Sequence, residues 1–448
     1  MLKRMSFVIT SLLILSLSLG NSRQVLALES HSELELAKEM GQDLEAKYAP
    51  KGGSIVIDAA TGQVLYEREA DKQWPVASLT KIMTLYLAYE ALESGELSRD
   101  MTFEVTQKDV DISQISALSN NTMVLGAQYT FDELAQLMMI VSSNAATVLM
   151  ADTIAGDEGA FVDLMNAKAK ELGMTQTQFY NASGSSNELL GDYAPANQPK
   201  DGENKGSARD FALLSYHLIK DYPQALKNTS QYNLSLKEGS EYEESFTAHH
   251  LSLVGGPTAY EGTDGLKTGS SDSAGYNLVS TVKRQGVRLI SVVMGVGEWP
   301  DDKAEEARNR LSNALHDAVY KEYTYQRILP RGFQTINDRA IVLEEDLYAM
   351  VRRGEKLDFT LENGQVTLDD DAVYISEDTQ QPSAAYRIWV APKPDLVQLL
   401  RHTWLRVAYQ WWLVGTGSFV LLIVGIYLLR GGTFSRKRKG GRSVPDDK

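Results

Sequence analysis

The stretch that most constrains this chain lies near its end. Residues 407–429, VAYQWWLVGTGSFVLLIVGIYLL, carry no formal charge. As a helix rising ~1.5 Å per residue, such a stretch crosses a hydrocarbon core of ~30 Å. Trp404, Trp411 and Trp412 stand where an outer aromatic belt would lie, and Tyr427 where an inner one would. The tail 430–448 follows with seven basic residues and two acids, clustered at Arg436-Lys437-Arg438-Lys439. This asymmetry predicts a single-pass membrane helix over 407–429 and a basic cytoplasmic tail over 430–448. A buried core helix is the alternative, and the basic tail directly behind it argues against that.

The other end is also basic. Residues 1–27 hold Lys3, Arg4 and Arg23 without an acid, an apolar run, and the small-residue pattern Val25-Leu26-Ala27. That is the three-part secretory pattern, so a signal peptide over 1–27 is expected; a retained membrane helix would need a longer apolar run. The chain has 448 residues and a formal charge of −15. Setting aside +3 on the first segment and +5 on the tail leaves −23 on residues 28–429. An acidic extracytoplasmic body on one C-terminal anchor is therefore expected, with no nucleic-acid partner, since phosphate binding needs a basic surface. There are no cysteines, which excludes disulfides, thiolate metal sites and a cysteine nucleophile.

Between the ends, residues 29–48 read as a helix, and 54–58 and 63–67 as a hairpin around Ala60-Thr61-Gly62. A helix is predicted over 78–92. Thr130 and Glu133 have capping-box spacing ahead of a helix to about Met139, and a second helix follows a break at 142–144. Residues 191–206, rich in Gly, Pro and Asn, read as a long mobile loop. Two strands over 275–282 and 287–296 precede an amphipathic helix over 301–323. The fold class is mixed α/β, with a catalytic-size domain over 28–325. A small β-rich domain over 326–392 carries an Asn363-Gly364 hairpin signal and serves as spacer or docking module. An amphipathic juxtamembrane segment over 393–406 leads into the span.

Three short motifs occur in order: Ser78-Leu79-Thr80-Lys81, Ser142-Ser143-Asn144 and Lys267-Thr268-Gly269. Residues three apart share a helix face, which puts Lys81 beside the Ser78 hydroxyl. A serine hydroxyl attacks only when a neighbouring base takes its proton. Lysine serves as that base once burial or a second cation, here Lys267, lowers its pKa. Ser78 at a helix start also has free N–H groups nearby for an oxyanion. Singly the motifs are weak: S-x-x-K arises by chance about once or twice in a chain this long. Their order, and their positions at a helix start, a helix break and a strand, carry the argument.

In this set the chain resembles the low-molecular-mass penicillin-binding proteins, specifically the D-alanyl-D-alanine carboxypeptidase family of serine peptidases. Asn181-Ala182-Ser183-Gly184, Ser207-Ala208-Arg209-Asp210, Asp264-Gly265-Leu266 and Ala274-Gly275-Tyr276-Asn277 extend the resemblance over about 35–325. It implies a serine β-lactamase/DD-peptidase-like domain with a central antiparallel sheet flanked by helices. It also implies Ser78 as acyl-ester nucleophile, Lys81 as base, Ser142 as proton relay and Asn144 as a substrate-carbonyl ligand. Lys267, Thr268, Gly269 and Ser270 would form the carboxylate site, and Ser78 and Ser270 N–H groups the oxyanion hole. The implied substrate is the peptidoglycan stem pentapeptide, with β-lactams as covalent inhibitors and no metal or organic cofactor. Some members carry an arginine shortly before K-T-G. This chain has none between Asp221 and Leu266, where His249 and His250 are expected as plain surface residues. A serine β-lactamase, for which Glu188 would be the candidate deacylation base, and a penicillin-binding receptor are the alternatives.

Overall fold

In the computed structural model, residues 28–369, 371–376, 379, 381–390 and 396–430 are described. The expected signal peptide and the tail beyond Arg430 lie outside them. The chain divides into one unit ending at Arg387 and another from Ile388 onward.

At the centre of the first unit is an antiparallel sheet. Its strands are β1 (Gly53–Asp58), β2 (Val64–Arg68), β3 (Thr263–Ser271), β4 (Gly275–Arg284) and β5 (Val287–Val296). Their spatial order is β2-β1-β5-β4-β3. Side chains alternate across a strand, so one sheet needs two cores. Ile55, Ile57, Ile290 and Val292 enter one; Val56, Leu278, Leu289 and Val293 enter the other. The second core is closed by α1 (Glu33–Glu39) and α8 (Asp302–Glu322) through Leu36, Ala37, Ala307, Leu311 and Leu315. The first is closed by α2 (Lys81–Ser94), α5 (Asn144–Ala155), α6 (Glu158–Glu171) and α7 (Ala208–Asp221). Two short helices, α3 (Gln107–Ser113) and α4 (Phe131–Gln136), complete this side.

Local chemistry sets the boundaries. The Thr130 capping box forms, with Glu133 N–H donating to Thr130 Oγ1 at 3.2 Å and Thr130 N–H to Glu133 Oε2 at 2.8 Å. After α4 a π-helical turn, Leu137–Val141, ends at Ser142, whose φ of 65° breaks the helix before α5. The helix expected over 29–48 is only α1; Gly41, at φ 82°, takes the chain out of it. Residues 191–206, expected as a mobile loop, are tied down instead. Buried Asn204 accepts Tyr180 N–H at 2.6 Å and donates to Thr80 Oγ1 at 2.9 Å, and Lys205–Gly206 pairs with Trp74–Pro75.

The β-rich part begins where α8 ends. Strand β6 (Tyr323–Leu329) pairs with β9 (Leu347–Arg352), so the expected 325/326 boundary falls inside β6. A second sheet holds β7 (Gly332–Ile336), β8 (Arg339–Leu343), β10 (Phe359–Glu362), β11 (Gln365–Leu368) and β12 (Ser383–Ile388). Its order is β7-β8-β12-β11-β10. The β10–β11 turn has Asn363 and Gly364 both at positive φ, as a two-residue hairpin requires. The chain then returns to the first sheet: Val64 N–H donates to Val373 O at 2.7 Å and Ile375 N–H to Gly62 O at 2.8 Å.

In the second unit, α9 (Leu396–Leu429) is one unbroken helix of 34 residues, largely exposed from Leu400 onward. The lead-in and span expected as separate segments merge in it. Leu400–Leu429 is long and apolar enough to cross a membrane, with a mean hydropathy of 2.1 in its most apolar window.

Candidate active site

Ser78 sits in a one-turn 3-10 segment, Ala77–Thr80, that opens directly into α2. Ala77 holds φ 47°, an uncommon value for a residue with a Cβ, which turns the Ser78 side chain into the site cleft. Two glycines let other segments close on this turn. A Cβ on Gly184 would lie 2.0 Å from Ala77 O, and one on Gly269 would lie 2.7 Å from Val76 O and 3.2 Å from Ser78 N. The glycine of K-T-G is thus required by the approach of β3 to the serine turn.

Lys81 lies one helical turn on and is fully buried. Its Nζ donates to Ser78 Oγ at 3.1 Å, to Asn144 Oδ1 at 3.1 Å and to Ser183 O at 2.7 Å. Burial lowers its pKa to about 7, against a smaller raising influence of Glu158. Near neutrality a large fraction of Lys81 is therefore unprotonated, as a proton acceptor for Ser78 needs. Asn144 is held by Ser119, whose carbonyl accepts from Asn144 N at 3.0 Å and Nδ2 at 2.9 Å.

Lys267 is also buried, and donates to Thr268 O at 2.8 Å. Burial, then the nearby Lys81 and Arg308 charges, hold its pKa well below the usual lysine range. Ser78, Ser142, Thr268 and Ser270 line one cleft, with Ser119, Tyr276 and Trp299. All three motifs therefore converge, bringing together the seven residues singled out from them and Ser270 beside the third.

Arg308 was not legible as a site residue. From α8 its Nη1 donates to Ser270 Oγ at 2.8 Å and Nη2 to Glu305 at 3.1 Å. It is fully buried, which lowers its pKa to about 10 and leaves it charged at neutral pH. An arginine thus reaches the K-T-G strand from a helix that follows it in the chain. The signal was an arginine on the apolar stripe formed by Ala304, Ala307, Leu311 and Leu315.

The two histidines separate. His249 is half-exposed at the cleft rim, with Nδ1 3.2 Å from Glu305. His250 is no surface residue: its Nε2 lies 2.9 Å from Gly265 O and its Nδ1 3.1 Å from the Asn309 side chain. Burial drives its pKa down to about 4, so it is neutral and fixes the strand just before K-T-G. Glu188 is exposed and does not line the cleft, which removes the feature that favoured a β-lactamase.

Known proteins agree with this geometry. The family described as D-alanyl-D-alanine carboxypeptidase matches residues 41–298, and a domain of unknown function matches 325–387. D-alanyl-D-alanine carboxypeptidase DacC of Escherichia coli is 32% identical over 81% of this chain and 91% of its own. DacF of Bacillus subtilis, bearing the same description, is 30% identical over 67% and 69%. The crystal structure of a peptidoglycan synthesis regulatory factor, PBP3, from Streptococcus pneumoniae superposes with a TM-score of 0.64. It is 31% identical and covers 75% of this chain and 99% of its own. By sequence family, fold and function, the chain belongs to the D-alanyl-D-alanine carboxypeptidases, serine-type peptidases among the penicillin-binding proteins.

Proposed function

We propose that the protein removes the terminal D-alanine of peptidoglycan stem pentapeptides through an acyl-enzyme on Ser78. The 3.1 Å contact between Lys81 Nζ and Ser78 Oγ carries this reading. Neutral Lys81 takes the hydroxyl proton as Ser78 Oγ bonds to the carbonyl carbon of the penultimate D-alanine. The peptide C–N bond then breaks, and the proton reaches the departing amine by way of Ser142. Water repeats the sequence on the ester, so one free D-alanine and a shortened peptide leave per water consumed. Asn144 holds the substrate amide. Lys267, Thr268 and Ser270 meet the terminal carboxylate, with Gly269 giving the close approach and Arg308 placing its charge directly behind the Ser270 hydroxyl. β-Lactams acylate the same oxygen. Residues 1–27 direct export, α9 anchors the chain in the cell membrane, and the basic tail remains in the cytoplasm.

Labelling with a fluorescent penicillin tests the nucleophile. The parent protein is expected to label and Ser78→Ala not to; a variant that still labels covalently sinks the assignment. Release of free D-alanine from a pentapeptide ending in D-Ala-D-Ala tests the reaction, and its absence would leave only penicillin binding.

A further inference from the structure

Behind Lys81 lies a buried carboxylate with no place in the scheme above. Glu158, the first residue of α6, is 2% exposed, and its Oε1 accepts Ala182 N–H at 2.9 Å. The Ala182 carbonyl accepts Thr84 Oγ1–H at 2.7 Å, and the next carbonyl, Ser183 O, is the shortest partner of Lys81 Nζ. Glu158 and Lys81 thus grip one short segment from its two sides. The second carboxylate oxygen, Oε2, is buried and has no hydrogen-bond partner among the described residues.

We infer that Glu158 is a positioning residue for Lys81, fixing the carbonyl that orients the amine and setting the proton affinity of that amine through its charge. The inference rests on Lys81 acting as the base of the proposed reaction. Glu158 is surrounded by groups that make its own charge adjustable. From α3 comes Lys108, and from α5 Asp152, which pairs with Lys108 at 2.7 Å, with Asp109 beside that pair. On the far side of Lys81 stand Asn144 and Lys267. Burial raises the Glu158 pKa to about 7; Lys108 and Lys81 pull it down and Asp152 pushes it up. Carboxyl and amine each favour the charged form of the other. A separate cleft, lined by Lys108, Glu158, Asp163 and Tyr193 and by none of the catalytic residues, lies against this cluster.

The test is the pH dependence of the acylation rate constant, read with a fluorescent penicillin on the full chain from about pH 5 to about pH 9. The acid limb reports protonation of Lys81. Glu158→Gln keeps the acceptor for Ala182 N–H and removes the charge. The limb is expected to move to lower pH by roughly half a unit to one unit, with the plateau within a few-fold of the parent. Lys108→Gln, a change outside the catalytic cleft, lets Glu158 protonate sooner and should move the limb the same way by less. Simple loss of a distant cation would move it oppositely. An unshifted or upward limb in Glu158→Gln overturns the inference, and if that variant does not fold, an unshifted or upward limb in Lys108→Gln does so. Loss of labelling in Ser78→Ala with an unshifted limb faults the inference and leaves the reaction standing. Retained labelling in Ser78→Ala faults the reaction itself.

Discussion

Four cationic or potentially cationic groups crowd a site that must bind an anion: Lys81, Lys267, Arg308 and, at the rim, His249. Burial to different effect separates the tasks of Lys81 and Arg308. Lys81, at about 7, can exchange a proton near neutrality; Arg308, at about 10, stays charged. Replacing Arg308 by leucine removes the charge behind Ser270 and frees that hydroxyl. KM for a D-Ala-D-Ala peptide is expected to rise about tenfold or more, with kcat changed less, from a charged hydrogen bond of about 1.5–3 kcal/mol. Arg308→Lys should recover part of the loss, because charge returns without the fork; equal KM values for the parent and Arg308→Leu would rule this role out. Ser78, Lys81 and Lys267 were readable because their chemistry is written in short motifs. Arg308 and Glu158 were not, because each reaches its partner from a distant helix, and only the fold brings Arg308 38 residues beyond Ser270 back to it.

At the scale of elements, the site is made where three backbones meet: the Ala77–Thr80 turn, the segment 181–184 and β3. The meeting leaves no room for a side chain at Gly269. Gly269→Ala should push β3 off the serine turn, slowing penicillin acylation by at least tenfold. Its stability cost should be only about 1–3 kcal/mol, typical of overpacking. Acylation at the parent rate would show that β3 need not sit so close. The strands and capping box were legible from alternation and spacing, since both reflect local geometry. The loop 191–206 has the composition of exposed turns and is mostly exposed, but its anchor at buried Asn204 is made by hydrogen bonds that composition does not encode. Helix α1 stopped early because one glycine outweighs a few well-spaced apolar residues.

For the whole molecule, the division after Arg387 separates a unit containing every site residue from one that is mostly a single apolar helix. Deleting residues from 396 onward should therefore release a soluble enzyme with unchanged D-alanine release, while the full chain sediments with membranes. A truncated protein without activity would show that α9 contributes to the site. The sheet order adds a further point. Strand β3, which carries Lys267-Thr268-Gly269, lies at one edge of the five-stranded sheet. Open edges invite pairing with any extended chain, and proteins ordinarily blunt them with charge, twist or cover. Here the serine turn packs onto the face of that edge strand at Gly269, so the reactive hydroxyl is presented beside a strand of the kind to which an extended chain can still pair.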